Sequence, residues 1–397
     1  EAVEASTLGM FLPAWHGVGG TSSSQGQLLD VLRTLQGAAI PASELETSIL
    51  PARLRYQPAM LDDLLASGDL VWVGRQPLGV KDGRVALYLR EQAPLLHWEL
   101  QQDPPAGPIH DRLRHHLAER GASFFRDLYA AAEGGDPAEV VTALWDLVWA
   151  GEVTNDTMAP LRAFLWGRKR SGRGRQALSA ATPPAASGRW YLVDEILRRD
   201  EPIAAEAQAA AIAEQLLARH GVVTRDAVLA EGVPGGFAGL YSVYSALEDA
   251  GRARRGYFIE GRGGAQFAIP GAVDRLRAMG DVGIVTMSAV DPANPYGATL
   301  DWPDTAAANP ARRAGAAIAL ADGELVAYLE KGGRSAALFT EDREVAAAAV
   351  AELIARQDRP RPLERIDGEP AATTPTGADL IASGARSGYK GLTLPGR

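Results

Sequence analysis

Apolar and polar positions alternate along the chain in a repeating order of short helices followed by a β-hairpin. Between residues 221 and 270, apolar side chains at helical spacing predict two helices, with Thr224 as the N-cap of the first and Gly251 ending the second. The apolar segments 257–259 and 266–269 flank a glycine-rich turn, which predicts strand, turn, strand. Helix, turn, helix and basic hairpin is the element order of a winged helix, whose second helix and hairpin usually face nucleic acid.

The same order is predicted twice more. Residues 22–96 predict three helices and a hairpin that turns at Asp82-Gly83, and residues 109–166 predict a copy with a degraded wing. Each copy ends a helix at a glycine that leads directly into a strand, at residues 64–70, 147–153 and 247–253. A spacing of about 80–100 residues favours an array of domains over a solenoid. The alternative is that helix, glycine and strand follow one another in any α/β protein.

The rest of the chain has other patterns. Residues 167–189 are rich in Gly, Ser, Ala, Pro and positive charge, which predicts a linker. Short apolar segments between 281 and 340 predict strands that close into a small β-barrel. We therefore predict an α+β fold of tandem winged helices, a β-barrel and a C-terminal helix and strand tail. The predicted divisions are 1–100, 101–166, 167–189, 190–280, 281–340 and 341–397.

Three long runs of sequence resemble one protein family. These are GGFAGLYSVYSALEDAGRARRGYFIEGRGGAQFAIPGAVDRLR (235–277), DPANPYGATLDWP (291–303) and LDDLLASGDLVWVG (61–74). Together they resemble the C-terminal region of Lhr, the large helicase-related superfamily 2 helicases of bacteria, over most of the chain. The resemblance implies a parent polypeptide that is an ATP-dependent helicase, translocating 3′ to 5′ in DNA repair.

By the same resemblance, the motor domains with their ATP and Mg lie upstream of residue 1. This segment would then bind DNA or an RNA–DNA hybrid, or hold an assembly together. The first residues carry neither an initiator Met nor a basic stretch, which we interpret as a fragment without a signal peptide. A bacterial cytoplasmic, nucleoid-associated location follows as an expectation.

Composition excludes several classes of function. The 397 residues carry a net charge of −9, so a nucleic-acid surface must be a local basic patch on an acidic body. The absence of cysteine excludes disulfides, thiolate metal sites and a cysteine nucleophile. No apolar run is long enough to span a bilayer, so we expect no membrane partner.

Motifs for common chemistries are also missing. There is no phosphate-binding GxxxxGK[ST] loop and no GxSxG nucleophile motif. Without a phosphate-binding loop, the Asp194-Glu195 pair does not indicate an ATPase site. His110, His115 and His116 lack the spacing of metal ligands. We therefore predict no metal and no cofactor in this segment.

Candidate nucleic-acid-binding residues form two groups. The basic segment and the third hairpin supply cations for phosphates, and Tyr241 on the second helix supplies a ring for base stacking. The candidates are Arg168, Lys169, Arg170, Arg173, Arg175, Arg252, Arg254, Arg255, Arg262 and Tyr241. The alternatives are a solvated basic loop for the first group and a domain interface for the second.

The Lhr C-terminal region is also similar in architecture to AlkZ-type DNA glycosylases, which raises a second hypothesis. Those enzymes carry a Gln-x-Gln or Gln-x-Asp motif; here Gln36 keeps one glutamine and the second polar group is lost. Asp291 is another candidate carboxylate for base excision, although a capped turn before proline is the favoured explanation. A third hypothesis is an oligomerisation scaffold, suggested by Trp72, Trp145, Trp149 and Trp166, although most of these are expected in the core.

Overall fold

The computed structural model describes residues 2–99, 102–167, 182–198, 202–305, 309–357 and 359–394. These residues form two compact units. Unit 1 comprises Glu1–Thr21, Thr47–Leu54 and Ala213–Arg397, and unit 2 comprises Ser22–Glu46 and Arg55–Ile212.

Helices and strands alternate along the described residues in short elements. The α-helices are α1 (Ala5–Trp15), α2 (Gln25–Leu35), α3 (Ala42–Glu44), α4 (Pro58–Ala66), α5 (Ala93–Leu96), α6 (Pro108–Arg120), α7 (Phe125–Ala131), α8 (Pro137–Trp149), α9 (Ala159–Trp166), α10 (Val193–Leu197), α11 (Ala205–His220), α12 (Arg225–Glu231), α13 (Gly236–Asp249), α14 (Ala272–Arg277), α15 (Arg343–Ala355) and α16 (Pro375–Ala382). A π-helical turn, Leu45–Ile49, continues α3, and 3₁₀ turns occupy Pro184–Ala186 and Ala371–Thr373.

The strands are equally short. They are β1 (Ile40–Pro41), β2 (Leu70–Pro77), β3 (Gly83–Leu89), β4 (Ser123–Phe124), β5 (Val153–Asn155), β6 (Arg189–Leu192), β7 (Val222–Val223), β8 (Arg254–Gly256), β9 (Gln266–Ala268), β10 (Ile284–Ser288), β11 (Ala317–Ala321), β12 (Glu324–Leu329), β13 (Ser335–Leu338), β14 (Arg365–Ile366), β15 (Glu369–Pro370), β16 (Arg386–Gly388) and β17 (Gly391–Thr393).

Three winged helices are present, as the sequence predicts. Each has the order helix, strand, helix, helix, strand, strand, and each three-stranded antiparallel sheet places its last strand in the centre: β1-β3-β2, β4-β6-β5 and β7-β9-β8. Thr224 caps α12 as predicted, because its hydroxyl accepts from the Ala227 N–H at 3.1 Å. We number these modules the first, second and third winged helix in chain order.

The wing of the second winged helix is interrupted by other elements. Its strands β5 and β6 pair antiparallel, with Thr154 opposite Tyr191, although α9 and the segment 168–181 lie between them in sequence. This pairing carries the module beyond residue 166 and into the C-terminal end of the predicted linker. The predicted domain limits themselves stay predictions.

Within unit 2, the first two winged helices share a packed core. Val71 and Val73 on β2 and Tyr88 on β3 pack against α5 and α10. A Cβ at Gly74 would overlap the backbone carbonyl of Val148, so glycine permits β2 to approach α8 this closely. Trp72, Trp145 and Trp149 are buried as expected for core residues, whereas Trp166 is 49% exposed.

The strands of residues 284–370 form an open sheet, and the predicted β-barrel is not supported. The pairing order is β10-β11-β12-β13-β14-β15, and in the described residues the outer strands β10 and β15 do not pair with each other. All neighbours are antiparallel except β13 and β14, which are parallel and joined through α15.

Coverage of both faces explains why this sheet does not close. Successive side chains of a strand point to opposite faces. Ile318 and Leu320 accordingly join a cluster with Leu8 and Phe11 of α1, whereas Ala319 joins a cluster with Leu353 and Ile354 of α15. Burial on two faces stabilises an open sheet without closure. The predicted Asp322-Gly323 turn is confirmed, since β11 and β12 pair up to Ala321 and Glu324.

Candidate nucleic-acid interface

The third winged helix carries the surface that the sequence predicts to bind nucleic acid. Gly232 and Gly235 have left-handed backbone angles (φ 66° and 74°) and separate α12 from α13. Leu240, Tyr244 and Leu247 recur at helical spacing and are buried, with Tyr244 stacked on Phe267 of β9 at 5.0 Å. The opposite face of α13 is therefore exposed, and Tyr241 lies on it with 39% of its surface accessible.

Arg255 and Tyr241 meet where α13 faces the wing. A guanidinium nitrogen of Arg255 donates to the Tyr241 hydroxyl at 3.2 Å, and Glu248 lies 3.2 Å from the same guanidinium. The hydrogen bond to Tyr241 and the charge of Glu248 raise the pKa of Arg255, so the side chain stays positively charged. This contact places a cation beside an exposed aromatic ring.

The other wing arginines are not gathered into one cluster with Arg255. Arg252 forms an ion pair with Glu214 at 2.9 Å. Arg254 is exposed and forms no ion pair with any described residue. Arg254 and Arg255 are neighbours in β8, opposite Ala268 and Phe267 respectively, and adjacent strand residues point to opposite faces.

Arg262 is held by protein atoms. It is 18% exposed, donates to the Thr299 carbonyl at 2.6 Å and lies 3.4 Å from Asp301 and 3.7 Å from Asp226. This geometry ties the wing to the segment after residue 291. The guanidinium is thus directed at protein instead of solvent.

Arg225, at the first position of α12, is a cation that sequence reasoning misses. With Leu229, Phe237 and Tyr241 it lines an open groove of about 760 Å³ whose walls are mainly apolar. Arg225 is exposed and has no ion-pair partner among the residues with described positions. The sequence does contain a signal for this cation, because Arg225 directly follows the N-cap Thr224 and so begins α12, the helix before the recognition helix α13.

The helices α4, α8 and α13, which hold the recognition position of the three winged helices, contain no Lys or Arg. Phosphate contacts in winged helices come largely from such cations. The charges instead lie at the wing and at the start of α12. The expectation that the second helix of the pair faces nucleic acid therefore has no electrostatic support in these three modules.

The basic segment Arg168, Lys169, Arg170, Arg173 and Arg175 lies outside the described residues. Its role in binding phosphates stays a prediction.

Gln36 is buried and its amide is engaged by protein. Its Nε2 donates to Gln92 Oε1 at 2.8 Å, and its Oε1 accepts from the Leu89 N–H at 2.9 Å. These bonds fix the end of β3 relative to α2. Its catalytic role stays a prediction, and its amide supports the backbone of the first winged helix.

Asp291 lies in a buried cluster of polar groups in unit 1. Its carboxylate, 0% exposed, accepts from Arg53 at 2.6 and 2.9 Å and from the Ala293 N–H at 2.8 Å. Burial raises the pKa of Asp291, but the charge and hydrogen bonds of Arg53 outweigh burial, and the pKa is lowered overall. His16 Nδ1 lies 3.3 Å from Arg53, and burial together with the charge of Arg53 lowers its pKa well below 6.5. The cluster therefore holds an ionised Asp–Arg pair beside a neutral imidazole.

The described parts of the chain contain neither a metal-binding cluster nor a membrane-spanning helix. They contain no group of three or more His, Asp or Glu side chains able to hold a metal ion. Their helices include none that is both long and apolar enough to cross a membrane.

Comparison with known proteins adds independent findings. Residues 3–90 and 202–283 each match a model described as the winged-helix domain of large helicase-related protein. The chain is 44% identical over 400 residues to a Mycolicibacterium smegmatis protein named Lhr helicase/probable uracil glycosylase, and 35% identical over 402 residues to an Escherichia coli protein named Lhr helicase/uracil glycosylase. These alignments cover 93% and 92% of the chain and 26% of each relative, so the chain spans about a quarter of their length.

A solved structure is similar in fold. Streptomyces sahachiroi DNA glycosylase AlkZ superposes with a TM-score of 0.55 over 90% of this chain and 96% of its own, at 13% sequence identity. At that identity the likeness concerns the architecture alone.

Proposed function

The chain belongs to the large helicase-related (Lhr) family, and on that premise we propose that it is the region of an Lhr-type protein that binds nucleic acid. The ligand is DNA or an RNA–DNA hybrid. Helicase domains elsewhere in the same polypeptide would supply ATP-driven translocation, as the names of the relatives suggest for those proteins. This segment would hold the strand while the motor moves.

One observation carries the proposal: Arg255 donates to the hydroxyl of the exposed Tyr241 at the junction of α13 and the wing. A guanidinium beside an exposed ring supplies both a phosphate contact and a stacking surface. Arg225 lines the same groove as Tyr241 from the other helix of the pair. On the face of β8 opposite to Arg255, Arg254 adds a charge that forms no ion pair among the described residues.

The carboxylate partners of Arg252 and Arg255 do not prevent phosphate binding. Both pairs lie at the surface, where salt and water screen the attraction and ion pairs contribute little free energy. A phosphate can therefore replace Glu214 or Glu248. Arg262, which is largely buried and bound to a backbone carbonyl, keeps a structural role in this scheme.

Fluorescence anisotropy with labelled single-stranded, duplex and hybrid oligonucleotides tests the proposal. We expect Arg254→Gln, Arg255→Gln and Tyr241→Ala each to weaken binding several-fold, because each removes one phosphate or stacking contact. Arg126→Gln is the matched control, since Arg126 is exposed on α7 and forms no ion pair among the described residues.

A variant with Gln at 168, 169, 170, 173 and 175 forms the second arm. Additional weakening in that variant would assign phosphate contacts to the basic segment as well. If only that variant loses affinity and the three wing and helix variants bind like the parent, the proposed surface on the third winged helix is refuted.

The second candidate function is excision of uracil or a damaged base from DNA. It is favoured by the names of both relatives, which include uracil glycosylase, and by the fold shared with AlkZ. Gln36 and Asp291 remain the proposed catalytic side chains, although both are buried and hydrogen-bonded to protein. Catalysis by either would require the site around it to open.

Incubation with uracil-containing or alkylated duplexes, followed by alkali, tests this function. Strand cleavage by the parent that is lost in Gln36→Ala or Asp291→Asn, in a variant that still shows the parent's far-UV circular dichroism, would support it. Strands that stay intact with the parent would remove it.

A further inference from the structure

Unit 2 contains a cavity of about 540 Å³ between the first and second winged helices. Its walls come from Gly74 and Arg75 on β2, His97 after α5, Arg114 on α6 and Gly151 at the end of α8. That volume lies in the range of sites that bind small molecules. None of the nucleic-acid candidates named above lines it.

Arg75 is the unusual member of the cavity wall. The side chain is 3% exposed, and its Nη1 donates to the Trp98 carbonyl at 2.6 Å. Its guanidinium carbon lies 4.8 Å from the centroid of the Trp98 ring. Nε and Nη2 donate to no atom of the described residues, and no carboxylate pairs with the guanidinium there.

Two other buried arginines have the carboxylate partner that Arg75 lacks among the described residues. Arg53 and Arg219 are as deeply buried as Arg75, and each is bound by a carboxylate, that of Asp291 and Glu231 respectively. An isolated charge is costly to bury, and proteins normally compensate it with a counter-charge. Burial also lowers the pKa of Arg75, which reflects this lack of compensation.

The acids near the cavity do not serve as that counter-charge. Glu152 accepts from Arg114 at 2.5 and 2.8 Å and is committed to that pair. Glu99 and Asp194 also line the cavity but are exposed, so water screens their charge. The end of the cavity at Arg75 therefore has a fixed positive charge with an unused donor, Nη2.

We propose that this cavity binds a phosphate group, with Nη2 of Arg75 as the principal donor and Trp98 holding the guanidinium in place. Guanidinium groups suit phosphate oxygens, and a charge-assisted hydrogen bond is stronger than a neutral one. The phosphate belongs either to a free compound such as a mononucleotide or to a nucleic-acid strand. The chemistry at Arg75 is the same for both sources.

Isothermal titration calorimetry at fixed ionic strength tests the site, with inorganic phosphate and dUMP as probes. The parent and Arg126→Gln should bind with a saturable heat. Arg75→Gln should bind at least about tenfold more weakly, the change expected when one charge-assisted hydrogen bond is lost. Arg75→Lys keeps the charge without the planar fork and should lie between them.

Folding of the variants gives an independent check. Removing a buried charge that pairs with no carboxylate of the described residues should leave the melting temperature of Arg75→Gln equal to or above that of the parent. Absence of saturable binding by the parent, or equal affinity of the parent and Arg75→Gln, would overturn the proposal.

Competition with DNA identifies the source of the phosphate. If inorganic phosphate displaces an oligonucleotide from the parent more effectively than from Arg75→Gln, the site holds a strand phosphate. If phosphate binding depends on Arg75 while oligonucleotide affinity does not, the site takes a free phosphate compound. Because the calorimetry uses no DNA, failure of the nucleic-acid proposal leaves this test intact.

Discussion

Removal of one partner from the Arg53–Asp291 pair should destabilise unit 1 strongly. The pair has two hydrogen bonds of 2.6 and 2.9 Å, and neither side chain is more than 1% exposed. Arg53→Met leaves the Asp291 carboxylate buried, with the Ala293 N–H as its one remaining hydrogen-bond donor among the described residues. Breaking a buried pair in this way costs about 3–5 kcal/mol, because a charge remains in the interior without its partner.

The assay is urea denaturation followed by circular dichroism, with a surface pair as the control. Arg343 and Asp379 also form a two-point contact, at 3.0 and 2.8 Å, but are 59% and 36% exposed. Arg343→Met should therefore cost only about 0–1 kcal/mol. A double variant, Arg53→Met with Asp291→Leu, should recover most of the loss, since neither charge remains.

Two results would refute this reasoning. One is an equal loss of unfolding free energy in Arg53→Met and Arg343→Met, which would mean that burial does not increase the free energy lost when a carboxylate loses its arginine partner. The other is a double variant as unstable as the sum of its single variants, which would mean that the two side chains are not coupled.

Two further predictions concern histidine titration and glycine packing. Burial, with a smaller contribution from the charge of Arg75, lowers the pKa of His97 to about 4, so the folded state favours neutral imidazole. The stabilising contribution of neutral His97 is complete above pH 6.5 and is lost as the pH falls toward 4, because the unfolded state then binds a proton that the folded state does not. In urea titrations, His97→Gln should therefore reduce the loss of unfolding free energy between pH 7 and pH 5 by about 2 kcal/mol. An unchanged pH dependence of the unfolding free energy in this variant would contradict the prediction. A Cβ at Gly9 would overlap the Gly323 carbonyl, so Gly9→Ala should lower the unfolding free energy by about 1–3 kcal/mol despite alanine's higher helix propensity. Gly26→Ala, with nothing within 4 Å, should be neutral or stabilising, and equal effects of the two glycine variants would refute the packing argument.

The winged helices are predictable from sequence because their signals are local. The N-cap at Thr224 and the end of a helix just before Gly251 each depend on a few neighbouring residues. The hairpin of β2 and β3 is also predicted, but its connection is residues 78–82 and Gly83 begins β3, so the expected two-residue turn at Asp82-Gly83 is wrong. The open sheet is not predictable in this way, since closure depends on whether α1 and α15 cover its two faces, and α1 is distant in sequence. Apolar strands alone suit either a barrel or a covered sheet.

In the candidate sites too, the charged residues are visible in the sequence, whereas their partners are set only by the folded structure. The charges of Arg252 and Arg255 are visible in the sequence, but Glu214 and Glu248 become their partners only after α11, α13 and β8 assemble. Arg53 and Asp291 are 238 residues apart, so no spacing rule connects them. The lack of a carboxylate partner for Arg75 among the described residues likewise emerges only from the packing around β2 and Trp98.

The salt dependence of nucleic-acid affinity tests the central claim most directly. Each cation that neutralises a phosphate contributes about 0.7 (single strand) to 0.9 (duplex) to the slope of log affinity against log salt. The double variant Arg254→Gln/Arg255→Gln should therefore have a slope shallower than that of the parent by about 1.4–1.8. A slope equal to that of the parent, or parent affinity that does not change with salt, would contradict the proposal that the third winged helix binds phosphates.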